Sequence, residues 1–331
     1  MSAAYDEKKM EPAAEPAAED VDDEAVVGTG GAGGGGGGVL SPKSAPARGV
    51  LTRAMVLKSS PTPQQKGETP SHYLARISHL NLERKKIRTV EALENCTKLR
   101  VLYLYENAIE RVGDGLPLPH LTHLHLYSNA IRRMEGFMML RSLEKLYLDR
   151  NEISVLEGLE ECFNLQELHL AHQRLPRGTS LTFDEASLAA VSESLEILNI
   201  AGNAVTSLAP LACLRRLTDL NARDNAIAAV ADVTPIFDDM RAIRALDLRG
   251  NPVAKTPKYW DKVVIRTPRT LTKFDNKKVE PKQREFLLRF AEQKAKRRAG
   301  GAGAGGGEAA FGSGGDGMPA RGAVGMRGQM R

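Results

Sequence analysis

Cysteine, tryptophan and long apolar runs are scarce in this sequence. Its 331 residues include a single tryptophan and three cysteines, Cys96, Cys162 and Cys213. An odd number of cysteines at wide spacing argues against a disulfide framework and against a zinc-ligand pattern. No apolar run approaches the ~20 residues that span a bilayer, and no apolar segment follows the charged N-terminus as in a secretory signal. We therefore expect a cytoplasmic protein with reduced core thiols and no membrane contact.

Known catalytic motifs are also missing. The sequence has no phosphate-binding loop, no G-x-S-x-G nucleophile turn, no H-E-x-x-H zinc motif and no paired Cys/His signature. The glycine run 33–38 follows no strand pattern, so it cannot act as a phosphate loop. We expect a protein that is not an enzyme and that holds neither a cofactor nor a metal.

Both ends of the chain lack a periodic apolar pattern. Residues 1–69 combine Ala/Glu/Pro stretches with scattered Ser and Pro, and residues 299–331 are rich in Gly and Ala. Such segments bury too little apolar surface to offset the entropy lost on ordering them. The composition therefore predicts disordered tails at 1–69 and 299–331.

Charge is distributed unevenly along the chain. The net charge is +5, yet residues 1–24 carry nine acids against two lysines, and residues 255–298 carry fifteen Lys/Arg against five acids. The basic end is either a solvated surface or a contact for an acidic partner such as a tubulin tail. No base-stacking surface accompanies it, so we do not expect a nucleic-acid partner. The candidate basic residues are Lys282, Arg284, Arg289, Lys294, Lys296, Arg297 and Arg298.

The pattern L-x-x-L-x-L-x-x-N-x-I recurs along the middle of the chain. Consecutive copies are 22 residues apart in the most regular part, and Asn occupies its place in six of eight copies. Such a repeat predicts an α/β leucine-rich-repeat solenoid, in which each L-x-L segment is a strand of a parallel sheet on the concave side. The Asn side chains should bond backbone groups at the turns. The copies begin at Ile77, Leu99, Leu121, Leu143, Leu165, Leu195, Leu217 and Ile243.

Two longer repeats and a changed ending complete the predicted organisation. Insertions follow Leu165 and Leu217, and in the first Asp184 is placed to cap a short helix that ends at Val191. Residues 257–275 look like a cap over the open apolar end. Residues 281–298 read as a basic amphipathic helix with Phe286 and Phe290 one turn apart. We predict a solenoid with its cap at 70–280, followed by this helix at 281–298.

Tyrosine and histidine crowd the outward side of the predicted sheet, which we call the concave face. Four of the seven tyrosines and five of the seven histidines fall on it. Tyrosine offers rigid contact area with a polar tip, so this composition favours a protein interface over neutral surface. The candidate contact residues are Tyr103, Tyr105, His123, His125, Tyr127, Lys145, Tyr147, Asp149, Arg150, His169 and His172.

A histidine metal site is the alternative use of this face. Along one column the order is His125, Tyr147, His169, so the two histidines stand two strands apart. Strands lie ~4.8 Å apart, which separates these histidines by ~9.6 Å. Ligands of one zinc ion need bonds of ~2 Å. The spacing therefore argues against metal.

Residues 77–275 resemble the leucine-rich-repeat class named for the nuclear regulator of protein phosphatase 1. That class also includes an axonemal dynein light chain, dynein assembly factors and a spliceosomal protein. A closer resemblance, to regulatory subunits of protein phosphatase 1 within the class, covers about residues 70–298 and neither tail. The matching segments are 101–105, 143–148, the insertion at 173–176 with Gly178, 183–184, and 250–253 with 257–259.

We expect a monomer, and the resemblance implies a protein that binds the phosphatase catalytic subunit. It further implies an association with microtubules, centrosomes or basal bodies and cilia, with tubulin or microtubule-associated proteins as further partners. Many phosphatase regulators dock through Val or Ile two positions before Phe or Trp, and that spacing is absent from this sequence. If the phosphatase binds, we expect it to use the concave face.

Overall fold

The computed structural model describes residues 49–113 and 116–301, with side chains as far as Arg297. These residues belong to one compact unit. Residues 1–48 and 302–331, which make up most of the two predicted tails, lie outside the described part of the chain.

Each of the eight predicted repeats contributes a three-residue strand to one sheet. Alternate side chains of a strand point to opposite faces, and the central leucine of each strand is buried. Neighbouring strands pair parallel and in register, so that Leu102 lies beside Leu80 and Leu124. These strands are β1 His79–Asn81, β2 Val101–Tyr103, β3 His123–His125, β4 Lys145–Tyr147, β6 Glu167–His169, β8 Ile197–Asn199, β9 Asp219–Asn221 and β10 Ala245–Asp247; β5 Val155–Leu156 and β7 Thr182–Phe183 pair separately. The predicted solenoid is confirmed.

The repeated asparagines join consecutive repeats through the backbone. Asn151 is 0% exposed; its Nδ2 donates to the carbonyl oxygens of Leu126 and Leu148 at 3.0 and 2.9 Å, and its Oδ1 accepts from the N–H of Ile131. Gln173 makes the equivalent bonds in its repeat. Each side chain thus satisfies groups that the turn leaves unpaired. The predicted structural role is confirmed for Asn107, Asn129, Asn151, Asn203, Asn225 and Asn251.

A left-handed backbone conformation precedes every one of these amides. The turn out of each strand requires a positive φ at this position, which costs least for glycine. Gly202 and Gly250 supply it in two repeats, and a Cβ on Gly250 would approach Asp224 Oδ1 of the preceding repeat. The residues at this position are Glu106, Ser128, Arg150, His172, Gly202, Asp224 and Gly250, and in the first repeat Arg84 has the same conformation before Lys85.

Leucines from all repeats form a continuous core, to which two of the three cysteines belong. Cys96 and Cys162 are fully buried, as expected of core thiols, and burial raises the pKa of Cys96 to about 11 and that of Cys162 to about 12. Cys213 is exposed at the end of a short 3-10 helix, Ala209–Cys213. The expectation of a core thiol is therefore wrong for Cys213, since its side chain lies outside the apolar interior.

Order begins earlier than residue 70, so the expectation of disorder is wrong for residues 49–69. Helix α1 (Arg53–Ser59) is capped by Thr52, and helix α2 (Pro70–Arg76) follows it. Leu51 and Val56 are 1% and 0% exposed in the core that they share with the first repeats. Two apolar side chains are too few to form a recognisable periodic pattern. They can still order this segment, because the neighbouring repeat supplies the rest of the core.

The first insertion folds as its sequence predicts. Helix α3 (Glu185–Val191) begins after Asp184, whose Oδ2 accepts from the N–H of Ser187 at 2.9 Å. This confirms the predicted cap and the end of the helix. The second insertion forms two short 3-10 helices, Val230–Asp232 and Thr234–Phe237.

The C-terminal part closes the solenoid. Helix α4 (Tyr259–Arg266) leads to strand β11 (Lys273–Phe274), which extends the sheet beside β10, and to β12 (Lys277–Lys278), which pairs with it antiparallel. Helix α5 (Pro281–Gly301) continues three residues beyond the predicted end. Within the described residues, none of the helices combines the length and the apolar character that a membrane crossing requires.

Candidate functional site

Four aromatic rings form one stack across four strands of the concave face. Successive ring centroids are 4.7 Å apart from Tyr103 to His125, 4.4 Å from His125 to Tyr147 and 4.8 Å from Tyr147 to His169. The spacing follows from the parallel register, because equivalent side chains on adjacent strands stand ~4.8 Å apart. The alternating Tyr/His column predicted from the repeat is therefore a continuous aromatic surface, which we call the aromatic column.

A second pair of rings lies beside the aromatic column. Tyr105 and Tyr127 stack with centroids 4.4 Å apart and planes 9° apart, and Tyr103 meets Tyr105 edge to face at 6.3 Å. All three tyrosines are half-buried, so each keeps part of its surface accessible to solvent. The rings hold one another in place, which lowers the entropy lost when a partner binds.

A carboxylate at one end of the aromatic column organises its polar contacts. Glu167 Oε2 lies 2.7 Å from Lys145 Nζ, and Oε1 lies 3.0 Å from His169 Nε2 and accepts from the hydroxyl of Tyr147 at 3.1 Å. The hydrogen bond from His169, and then that from Lys145, hold the pKa of Glu167 at about 2 despite partial burial. The carboxylate is therefore ionised at neutral pH and fixes three of the predicted contact residues.

The inner histidines of the concave face carry no charge at neutral pH. Burial lowers the pKa of His125 to about 4. Burial, followed by the positive charge of Lys145, lowers the pKa of His123 as well. In both cases the imidazolium form loses hydration that the neutral ring does not need. The middle of the aromatic column is thus an apolar surface with polar edges.

Three of the predicted contact residues are not placed as expected. Tyr147 is only 6% exposed, so it supports its neighbouring rings rather than offering much area of its own. Arg150 and His172 have φ of 56° and 54° and lie in the turns after their strands, not on the strand face. His172 instead packs over Gly202 of the next repeat. Asp149 accepts from the N–H of Ala171, and burial raises its pKa.

Histidines, cysteines and carboxylates do not gather around a common point. No group of three or more that could hold a metal ion occurs among the described residues. On the aromatic column, a tyrosine ring separates His125 from His169. The arrangement suits contact with another surface rather than coordination.

The basic end divides into one structural residue and several exposed ones. Arg284 is 6% exposed and donates to the carbonyl oxygens of Thr267, Pro268 and Leu271. Its prediction as a partner contact is therefore wrong, since its donors are used within the fold. Arg298 belongs to α5, but its side chain is outside the described atoms. The exposed members are Lys282, Arg289, Lys294, Lys296 and Arg297.

A separate groove runs beside the N-terminal ends of the strands. Its volume is about 930 Å³. None of the predicted contact residues lines it, and its lining is basic near β1 and β2 and mostly neutral beyond them. The lining residues are Arg76, Ser78, Lys98, Arg100, His120, Thr122, Ser142, Glu144, Asn164 and Gln166.

Comparison with known proteins agrees with this geometry. Residues 97–153, which hold β2, β3 and β4, match the family model described as leucine rich repeat. The fold is a leucine-rich-repeat solenoid. A leucine-rich-repeat protein from Leptospira interrogans aligns at 23% identity over 62% of this chain and 50% of its own, with a TM-score of 0.50. Internalin C2 from Listeria monocytogenes aligns at 24% identity over 61% of this chain and 87% of its own, with a TM-score of 0.49.

Some residues that shape this leucine-rich-repeat surface escaped the sequence analysis. Glu167 was not among the predicted contact residues, although a carboxylate two positions before His169 was a usable signal. Ala171 and Ala201 follow their strands at the positions equivalent to Tyr105 and Tyr127, and each is 4% exposed, so the second row of aromatic rings does not continue there.

Proposed function

We propose that this protein is a non-catalytic scaffold that binds the catalytic subunit of protein phosphatase 1 through the concave face. The observation that supports the proposal most is the aromatic column with its flanking tyrosines. Interfaces concentrate binding energy in such rigid aromatic residues. The identity of the partner rests on the resemblance to protein phosphatase 1 regulatory subunit 42. Because the sequence lacks Val or Ile two positions before Phe or Trp, the spacing through which many regulators dock, we assign the contact to the concave face.

The proposed cellular role is to direct the phosphatase to microtubule-based structures in the cytoplasm. Centrosomes, basal bodies and cilia are the sites that the resemblance implies. The exposed basic residues of α5 suit an acidic surface there, because positive charge accelerates encounter with acidic partners.

A pull-down with purified phosphatase catalytic subunit tests the proposal. Tyr103→Ala combined with Tyr105→Ala removes half-buried rings, and we expect it to weaken binding at least tenfold. Tyr147 is unsuitable, because its burial and its bond to Glu167 make the fold depend on it. Met138→Ala combined with Met139→Ala, at side chains 61% and 51% exposed, is the matched control and should bind normally. Absence of binding by the unmodified protein would rule the proposal out.

A ciliary or axonemal adaptor that binds tubulin without the phosphatase is the second candidate. The five exposed basic residues of α5 favour it. Lys294→Glu, Lys296→Glu and Arg297→Glu together reverse the charge where the helix is fully exposed and leave Arg284 in place. Salt-sensitive co-sedimentation with microtubules that this variant loses, with no phosphatase bound by the unmodified protein, would favour the adaptor.

A further inference from the structure

Helix α5 has a face that the solenoid does not cover. Its buried side carries Arg284, at 6% exposed, and Leu287, at 9%, with Leu288 and Ala291 half-buried beside them. From Glu292 to Arg297 all side chains are exposed. The helix is therefore anchored to the cap by its first turns, and its surface from Glu292 to Arg297 faces solvent.

Two phenylalanines, which the sequence analysis places one turn apart on an amphipathic helix, lie on this uncovered face. Phe286 is 67% exposed and Phe290 is 52% exposed. Their ring centroids are 6.4 Å apart with planes 17° apart, as expected for residues one helical turn apart. A large ring gains about 2 to 3 kcal/mol on burial, so two adjacent exposed rings are a strong sign of an interface.

The charges of α5 surround the phenylalanines. With ~100° of rotation per residue, all five exposed basic side chains project within about 100° of the line between the two rings. Glu285 and Glu292 lie at one margin of this face. Leu287 lies about 80° from the line between the rings at the other margin, and Arg284 and Leu288 lie opposite. The uncovered face thus combines two aromatic anchors with a basic border, made by Lys282, Arg289, Lys294, Lys296 and Arg297.

We propose that α5 docks into the calcium-opened groove of an EF-hand protein. Such a groove is apolar at its base, where two rings of one helix face can insert, and its acidic rim complements the basic border. A bilayer surface suits this helix less well. Membrane adsorption needs an apolar face along the helix, whereas from Glu292 to Arg297 the only apolar side chain is the small one of Ala295. The site is independent of the concave face.

Titration calorimetry of the full-length protein with calcium-loaded calmodulin as the probe tests this site. We expect binding in calcium that is lost when EGTA is added. Phe286→Ser combined with Phe290→Ser should weaken it at least tenfold, while thermal unfolding stays unchanged because both rings are exposed. Met138→Ser combined with Met139→Ser, which alters two other exposed apolar side chains, should bind like the unmodified protein.

Absence of calcium-dependent binding by the unmodified protein would overturn the proposal, and so would equal binding by the phenylalanine variant. Binding to phosphatidylserine vesicles that requires both rings would assign the face to a lipid surface instead. The phenylalanine variant keeps every basic side chain and the whole concave face. We therefore expect it to retain both phosphatase binding and salt-sensitive microtubule binding, which separates failure here from failure of the proposed function.

Discussion

At the scale of single residues, the buried amides are the points where the fold tolerates least change. Asn151→Ala would leave the buried N–H of Ile131 unpaired and would remove one of the two amide donors from each of the carbonyl oxygens of Leu126 and Leu148. We expect a loss of about 2 to 3 kcal/mol, because an unsatisfied buried N–H costs about 1 to 3 kcal/mol and two further hydrogen bonds are lost with it. Asn107→Ala, at a half-buried position of the first turn, should cost about 1 kcal/mol because water can replace part of its bonds. Urea unfolding measures both, and equal losses would contradict this account.

The carboxylate of Glu167 makes stability depend on pH. Its folded pKa of about 2 lies below the unfolded value of ~4.3, so its contribution is present above about pH 4.5 and is lost as the pH falls toward 2. We expect the stability advantage of the unmodified protein over Glu167→Gln to shrink by roughly 2 kcal/mol between pH 5 and pH 2. Urea unfolding over this range checks it. Glu193→Gln, at a side chain 72% exposed, should show no such trend.

At the scale of secondary-structure elements, the sequence pattern predicted the strands and the last helix, but not which face of that helix the cap covers. The register of β1 to β10 follows from where the leucines stand, because a shift by one residue would turn them toward solvent. In α5 the spacing of Phe286 and Phe290 places both rings on one side of the helix, but it does not show whether that side is covered. The solenoid packs against Leu287 and the guanidinium of Arg284. The guanidinium donates to the carbonyl oxygen of Thr267, and the position of that loop cannot be inferred from the helix sequence.

Arg284 should determine whether α5 stays attached to the cap. Arg284→Ala removes donors from three carbonyl oxygens, of which those of Thr267 and Leu271 are buried with it. We expect a loss of about 2 to 3 kcal/mol. Amide exchange in residues 281–291 should rise at the same time. Lys282→Ala, at an exposed position two residues before Arg284, should change stability by less than about 0.5 kcal/mol. Unchanged exchange in Arg284→Ala would show that Leu287 alone holds the helix.

At the scale of the whole molecule, the sequence identified the repeats more surely than their ends. A repeated pattern can be recognised from the sequence because it occurs several times, as at Leu99, Leu121 and Leu143. The segments at the ends of the solenoid occur once, so no such comparison identifies them. Leu51 and Val56 could be recognised as core residues only once the first repeat was seen to present an open apolar side. The concave face follows from the register in the same way, whereas the tightness of the aromatic column depended on side-chain conformations.

The segment that holds α1 and α2 covers the first repeat, and we call it the N-terminal cap. It should control where unfolding of the solenoid begins. Each repeat is stabilised mainly by its neighbours, so a weakened end opens first and the opening spreads inward. Leu51→Ala combined with Val56→Ala removes two fully buried side chains and should cost about 4 kcal/mol. Amide exchange should then quicken in β1 and β2 well before β9 and β10. Arg53→Ala, at an exposed position of the same helix, is the control. Uniform quickening across all eight strands would mean that the repeats unfold as a single cooperative unit and that the cap has no special role.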